Sequence, residues 1–371
     1  MEKIFAALIL VVWVGLTALN LAVPDKDFSE LENRYLAKMP SFSPETLVSG
    51  EYMQKVDTYI NDHFVGRDVW VSMKTTDEYL IGKRENGGVF IGRDALLPSL
   101  PDPDEQDVER NIQGIQSFVR QYGLPTSLML VPSSSEIQKD KNPPYAPVFD
   151  QKAFIDGVYG RLAGTALPID AYGALAARSG EYIYYKTDHH WTTDGAYAAY
   201  ASACGALDIP VRPYDDFGVR QVSDSFYGTL YSKSGFRFIS PDTIRAVSPD
   251  RTQRYTVFSP KGSQEYDSIY FPEFLEKKDK YSYFLGTNEA LVTIETGAGT
   301  GKSLLIFKDS YAHSFVPFLL EDYDRITLAD MRYLNTGLDA VGVEDYDQAL
   351  FLYSVDVFSH QNDIGKLRTG P

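Results

Sequence analysis

Cysteine is nearly absent: Cys204 is the single one in 371 residues. No internal disulfide framework can form. Stability must therefore come from core burial, which a chain of this length can supply. Cys204 sits among small residues in Tyr200-Ala201-Ser202-Ala203-Cys204-Gly205, on an expected helix, and reads as a buried structural thiol rather than a nucleophile. Cations are also scarce, with 35 Lys+Arg against 51 Asp+Glu and a formal charge of −16. That balance excludes a nucleic-acid binder, because phosphate backbones select basic surfaces. It also argues against electrostatic docking on anionic lipid. An acidic polymer is a poor ligand unless local cations such as Arg332 line its cleft. Tryptophan occurs 3 times but tyrosine 26 times; a flat apolar ring with a polar tip suits sugars, wet interfaces and ordinary packing alike. No internal repeat or low-complexity tract is visible. With 44% hydrophobic and 23% charged residues, the chain is a folded protein of about two domains, or one large domain with insertions.

Only one stretch, Ile4 to Val23, runs long without a charge, 20 residues with Thr17 and Asn20 as its clearly polar members. About 20 apolar residues cross a bilayer as a helix. A cleaved signal has a shorter apolar core and a small-x-small site, and Ala18-Leu19-Asn20-Leu21-Ala22-Val23-Pro24 offers none. Residues 1–23 are expected to be an uncleaved membrane anchor, with the rest of the chain outside the cytoplasm, although Lys3 and the α-amino group are the only cations to orient it. Residues 24–95 read as an N-terminal tether and helical segment. The tether carries Pro24, Pro40 and Pro44 with Glu30, Glu32, Asn33 and Arg34. Helical spacing follows at Tyr52, Val56, Tyr59, Ile60 and Phe64, then a turn and short strand from Gly82 to Gly92.

The remainder, 96–371, alternates helices with apolar runs. Asp104 to Gly123 is expected as a helix, with Ile112, Ile115, Phe118 and Val119 on one face. Apolar runs at Thr126–Val131, Ala166–Ile169, Ser303–Phe307, Arg325–Leu328 and Ala349–Tyr353 read as strands buried on both faces. This grammar predicts an α/β fold with a mostly parallel sheet flanked by helices, and ligands beyond the carboxyl ends of its strands. Residues 215–285 break the pattern, being rich in Tyr, Phe, Ser and Asp, and read as a β-rich insertion or lid. Gly297-Ala298-Gly299-Thr300-Gly301-Lys302-Ser303 imitates a phosphate-binding loop. It lacks the required leading glycine, Thr296 standing there, and runs into a strand instead of a helix. A glycine-rich loop between strands is expected.

Two clusters carry chemistry. The first is Lys186-Thr187-Asp188-His189-His190-Trp191-Thr192-Thr193-Asp194-Gly195, after the aromatic run Tyr182 to Tyr185. In extended chain Asp188 and His190 share a face and His189 takes the other. A carboxylate beside a histidine fixes its tautomer and stabilises its charged form. The second is Lys308-Asp309-Ser310-Tyr311-Ala312-His313, just beyond the 303–307 run. A strand-to-helix turn exposes a side chain at the sheet edge and offers backbone N–H groups to an oxyanion. A serine needs a neighbouring base to act as nucleophile. Of five histidines, His190 has the paired aspartate, which gives the expected triad Ser310, His190 and Asp188. The oxyanion donors would be the Ser310 and Tyr311 N–H groups. Alternatively, Asp309-Ser310 is an ordinary helix cap, His313 is a rival base, and His63 and His360 are structural. A metal site built from Asp188 and His190 with His189 or Asp194 is not expected, since sequence neighbours on opposite faces rarely share one ion and no H-E-x-x-H helix occurs.

Asp188-His189-His190-Trp191 resembles the signature of the DHHW family of extracytoplasmic proteins. It is also similar to the Asp-x-His-Trp-Thr motif of AlgX/AlgJ-type alginate O-acetylation proteins, and Lys308-Asp309-Ser310-Tyr311 resembles their Asp-Ser block. The resemblance spans roughly residues 25 to 355, including the Asn-Arg segment near 33, Gly87 to Gly92 and Asp330-Met331-Arg332-Tyr333; 215–285 has no match. It implies an SGNH-hydrolase-like fold with the His block before the Ser block. It further implies an extracytoplasmic serine O-acetyltransferase or esterase acting on a cell-surface polysaccharide, without a cofactor. An MBOAT-type membrane acyltransferase would be the acyl-donor partner. Tyr184, Tyr185, Trp191 and Tyr311 would wall a sugar cleft, and Arg332 would bind an acidic sugar or form a structural ion pair. Two other readings stay open: a non-catalytic glycan-binding or assembly protein on the same fold, and a metal-dependent hydrolase.

Overall fold

The computed structural model describes residues 2–29, 34–259, 262–335, 337–338 and 341–368. Residues 30–33, part of the expected tether and of the Asn-Arg resemblance, lie outside them. Eight strands form the central sheet: β1 (Thr126–Val131), β2 (Leu167–Ile169), β3 (Arg254–Ser259), β4 (Gly262–Tyr266), β5 (Leu291–Glu295), β6 (Ser303–Lys308), β7 (Arg325–Ala329) and β8 (Gln348–Ser354). Their order is β4-β3-β5-β7-β6-β8-β1-β2. The five strands from β7 to β2 are all parallel. The other three extend the β7 edge antiparallel. The expected parallel sheet is therefore one part of a larger mixed sheet. The expected insertion is itself divided: β3 and β4 complete the sheet, whereas Arg220–Phe226 and Asp242–Ala246 form a separate antiparallel pair.

The apolar runs are continuous because both faces are covered. Met129, Leu304, Ile306, Leu350 and Leu352 pack into one core. Leu128, Leu130, Leu305, Phe307, Ala349 and Phe351 point into the other. The helix Glu105–Tyr122 lies on the second face. Asp104 caps its start and Gly123, at φ 63°, ends it, as the sequence predicts. The helix Thr193–Ala203 lies on the first face, and Cys204 at its end is buried, with its thiol pushed up to about 11 by that burial.

The segment 51–82 forms two helices, Glu51–His63 and Arg67–Leu80, broken at Gly66 in the left-handed conformation. The hairpin Val89–Ile91 with Leu96–Pro98 straddles the expected boundary at 95/96. Its Val89, Ile91 and Leu96 pack on Leu230 and Phe236. Among the described residues one helix is long and apolar enough to cross a membrane, Lys3–Ala22, and none of it is buried. The Gly297–Gly301 loop wraps a carboxylate rather than a phosphate: Asp324 accepts from the Thr300 and Gly301 N–H groups, both at 2.9 Å.

Candidate active site

Strand β6 ends at Lys308, and Ser310 stands in the turn before the short helix Ala312–Phe315. Asp309 locks that turn. One of its oxygens accepts from the Tyr311 N–H at 3.0 Å; the other accepts from the Ser354 N–H and hydroxyl at 2.8 and 2.7 Å. The Ser310 loop is thus tied to the end of β8. Of the two expected oxyanion donors, the Tyr311 N–H is already committed to Asp309, and the Ser310 N–H is the one that remains.

The His block is a tight reversal, not the extended segment predicted. Tyr184 pairs with Trp191, and the Tyr185 N–H donates to the His190 carbonyl at 3.2 Å. His189 consequently lies on the same side as His190, with ring centroids 3.9 Å apart and tilted by 37°. Asp242, from the insertion, supports the bend by accepting from the Lys186 and Thr187 N–H groups, both at 2.8 Å.

Asp188, His190 and Ser310 meet in one hydrogen-bonded chain. Asp188 Oδ1 lies 2.6 Å from His190 Nδ1, and His190 Nε2 lies 2.7 Å from Ser310 Oγ, 120 residues away in sequence. Asp188 is 1% exposed and His190 5%. The other Asp188 oxygen accepts from the Thr229 N–H at 2.8 Å and hydroxyl at 3.0 Å. Burial opposes ionisation of Asp188. The adjacent His189 and His190 rings and these hydrogen bonds outweigh it and hold the carboxyl well below its usual range. An ionised Asp188 accepts the Nδ1–H of His190, so Nε2 is free to accept the Ser310 proton.

Several aromatic residues take different roles from those predicted. Tyr184 and Tyr185 are 1% exposed, Trp191 0% and Tyr311 3%, so none offers a face to a sugar. Trp191 and Tyr311 clamp the two blocks together instead. Trp191 Nε1 donates to the Tyr311 carbonyl at 3.1 Å and to Ser314 Oγ at 2.9 Å. The Tyr311 hydroxyl donates to the His189 carbonyl, and that of Tyr184 to the Pro132 carbonyl at 2.7 Å. Arg332 forms the ion pair, donating to Asp330 at 2.8 and 2.6 Å. His313 does not face Ser310 Oγ: its Nε2 meets Lys308 Nζ at 2.9 Å and its Nδ1 the Phe284 carbonyl at 3.1 Å.

The donor atoms of Asp188, His189 and His190 lie within 4.8 Å of one another. Both Asp188 oxygens and His190 Nδ1 are taken by protein hydrogen bonds, so the group does not offer an open coordination sphere.

Sequence reasoning missed Thr229, Gly228, Asp242 and Tyr281. Gly228 had a signal, a glycine in an aromatic stretch. A Cβ there would come within 2.2 Å of Asp188 Cβ. Tyr281, in the short turn Lys280–Tyr283, had none.

Comparison with known proteins fits this arrangement. The chain is 25% identical to a DHHW family protein of Eubacterium siraeum, with a TM-score of 0.64 over 76% of this chain and 95% of the other. It shares its fold with Bacillus cereus PatB1, solved with a sulfonyl adduct, at 16% identity and a TM-score of 0.63 over 76% of this chain and 98% of the other. Over 166 residues it is 23% identical to the probable alginate O-acetylase AlgJ of Pseudomonas fluorescens, a match covering 41% of each protein. The chain thus spans about two fifths of that relative's length. The family model described as DHHW protein matches residues 127–329, more than half of the chain and inclusive of both blocks, and the chain belongs to that family.

Proposed function

We propose that this protein is a membrane-anchored, extracytoplasmic serine O-acetyltransferase or esterase acting on a cell-surface polysaccharide. The observation that carries the reading is the Asp188–His190–Ser310 chain, with contacts of 2.6 and 2.7 Å beyond the carboxyl end of a central parallel strand. The similarity to a protein named as a probable alginate O-acetylase supports a polysaccharide as acceptor. The apolar helix Lys3–Ala22 supports the membrane location.

In this mechanism His190 takes the Ser310 proton while Asp188 holds the ring and its developing charge. Ser310 Oγ bonds the acetyl carbon of the donor ester, and the Ser310 N–H faces the oxyanion. The leaving oxygen recovers the proton from His190. A sugar hydroxyl or water then attacks the acetyl-enzyme, giving up its proton to His190, and Ser310 is released. A membrane acyltransferase of the MBOAT type would supply the acetyl group. With Tyr184, Tyr185 and Trp191 buried, the half-buried Tyr227 and Tyr231, 4.3 Å between centroids and tilted by 35°, are the aromatic surface beside Thr229 for a sugar ring.

A fluorophosphonate that esterifies activated serines tests the reading. The wild type is expected to gain one adduct by mass spectrometry and Ser310→Ala none. Equal labelling of the two removes Ser310 as nucleophile and favours a glycan-binding role.

A further inference from the structure

Thr229 Oγ1 lies 3.0 Å from Asp188 Oδ2 and 2.7 Å from His189 Nδ1. A hydroxyl has one proton to give. Asp188, ionised, can only accept, so Thr229 donates to it. The Thr229 oxygen must then accept from His189, whose Nδ1 carries the hydrogen. A neutral imidazole has one N–H, and Nε2 of His189 is left with a bare lone pair. Partial burial, then the neighbouring His190, pushes His189 down from its ordinary value, which favours the neutral ring.

Among the described residues no protein group bonds His189 Nε2. The side chain is 36% exposed, against 6% for His190 and 2% for Asp188. Two imidazoles therefore stand side by side, centroids 3.9 Å apart. One Nε2 faces Ser310 Oγ at 2.7 Å; the other has no protein partner. A single base suffices to activate one hydroxyl. A second acceptor next to it has no use for water, but matches a sugar carrying two adjacent hydroxyls.

We infer that His189 binds the acceptor: its Nε2 accepts a hydrogen bond from the hydroxyl beside the one that attacks, so the site selects a vicinal diol over water or a monohydric alcohol. The inference rests on the acyl-Ser310 reading above. In the transfer step the attacking oxygen bonds the acyl carbon and its proton passes to His190 Nε2. The Ser310 Oγ–acyl bond breaks, and the proton returns to Oγ. The neighbouring hydroxyl keeps its proton and is only held.

The test uses the full chain acetylated by p-nitrophenyl acetate and supplied with trans-1,2-cyclohexanediol and cyclohexanol together at equal concentrations. The ratio of the two ester products does not depend on how fast the acetyl-enzyme forms. One hydrogen bond predicts a preference for the diol of about tenfold in the wild type. His189→Phe keeps an aromatic ring against His190 but lacks Nε2, and should bring the ratio close to two, the statistical value for a diol with two equivalent hydroxyls. A wild-type ratio within about twofold of that statistical value, or a His189→Phe ratio equal to that of the wild type, overturns the inference. The wild-type comparison decides alone should the variant misfold. A different result separates the two readings: acetyl transfer to either alcohol that persists undiminished in Ser310→Ala removes the acyl-Ser310 mechanism itself, and the role of His189 falls with it.

Discussion

The Tyr281 ring lies flat against the His190 imidazole, with centroids 3.8 Å apart and planes within 9°. Its hydroxyl bonds the Ser310 carbonyl and Ser314 Oγ, both at 3.1 Å. One residue from a short turn thereby holds the base by its face and the nucleophile loop by its backbone. An aromatic face also favours the cationic imidazole that forms as Ser310 gives up its proton. Tyr281→Leu is expected to lower kcat for acetyl-ester hydrolysis about tenfold, the order of one lost cation–π contact. Tyr281→Phe keeps the stack and should lose about threefold or less through the missing hydroxyl. Equal losses in the two variants would assign the effect to the hydroxyl instead of the ring.

Gly228 is needed for want of space, not for backbone freedom. Its φ is −87°, which any residue adopts, yet a Cβ there would lie 2.2 Å from Asp188 Cβ and 2.3 Å from its Oδ2. Gly228→Ala must push Asp188 away from His190. Loss of an oriented base costs on the order of 10²- to 10⁴-fold in rate, so this one-carbon substitution at a buried glycine should approach Asp188→Asn in kcat. Overpacking costs about 1–3 kcal/mol, visible as a modest drop in Tm. Full activity in Gly228→Ala would show that Asp188 tolerates displacement.

The parts of the fold legible in the sequence are those written by local rules. β1, β6 and β8 stand out because burial on both faces makes their centres continuous apolar runs. The helix Glu105–Tyr122 is bracketed by Asp104 and Gly123, cap residues with a known mechanism. The triad partners were legible because a serine needs a base and His190 was the histidine beside an aspartate. The direction of His189 was not, since it depends on a bend held by Asp242, more than 50 residues downstream. Nor was the burial of Tyr184, Tyr185 and Trp191. A tyrosine reads alike in a cleft or a core until its hydroxyl partner is known, and those partners, such as Pro132 for Tyr184, lie far off in sequence.

His313 gives the fold a pH dependence of definite sign. Burial, then the adjacent Lys308 charge, pushes its imidazole well below the ordinary value of 6.5. Its Nε2 accepts from Lys308, which only the neutral ring can do. The unfolded chain therefore binds a proton below pH 6.5 that the folded one refuses. Stability is full above the unfolded value and falls as pH drops through and below it, by at most about 1.4 kcal/mol per pH unit for one proton. His189, shifted the same way, adds to the slope. Urea midpoints between pH 7.5 and 5 should fall in the wild type and fall less steeply in His313→Gln. An unchanged slope would mean that His313 is charged in the fold.

Asp330 holds two cations in place behind the nucleophile. Its side chain is 0% exposed and that of Lys308 is 2%. It accepts from Lys308 Nζ at 3.1 Å and from Arg332 at 2.8 and 2.6 Å. Burial alone would raise its carboxyl, but Arg332 and Lys308 hold it down. Asp330→Asn leaves Lys308 and Arg332 facing each other without a counter-charge, and breaking a buried pair from one side costs about 3–5 kcal/mol. Because the group is enclosed, added salt should restore little of that loss. Lys308→Met in the Asp330→Asn background removes the enclosed cation and should recover part of it, a coupling read from the double-mutant cycle. Lys308 closes β6 two residues before Ser310, so the single variant should also lose activity in proportion to disorder of the Ser310 turn. Additive destabilisation in the cycle would mean that Lys308 is uncharged in the fold and that Asp330 serves Arg332 alone.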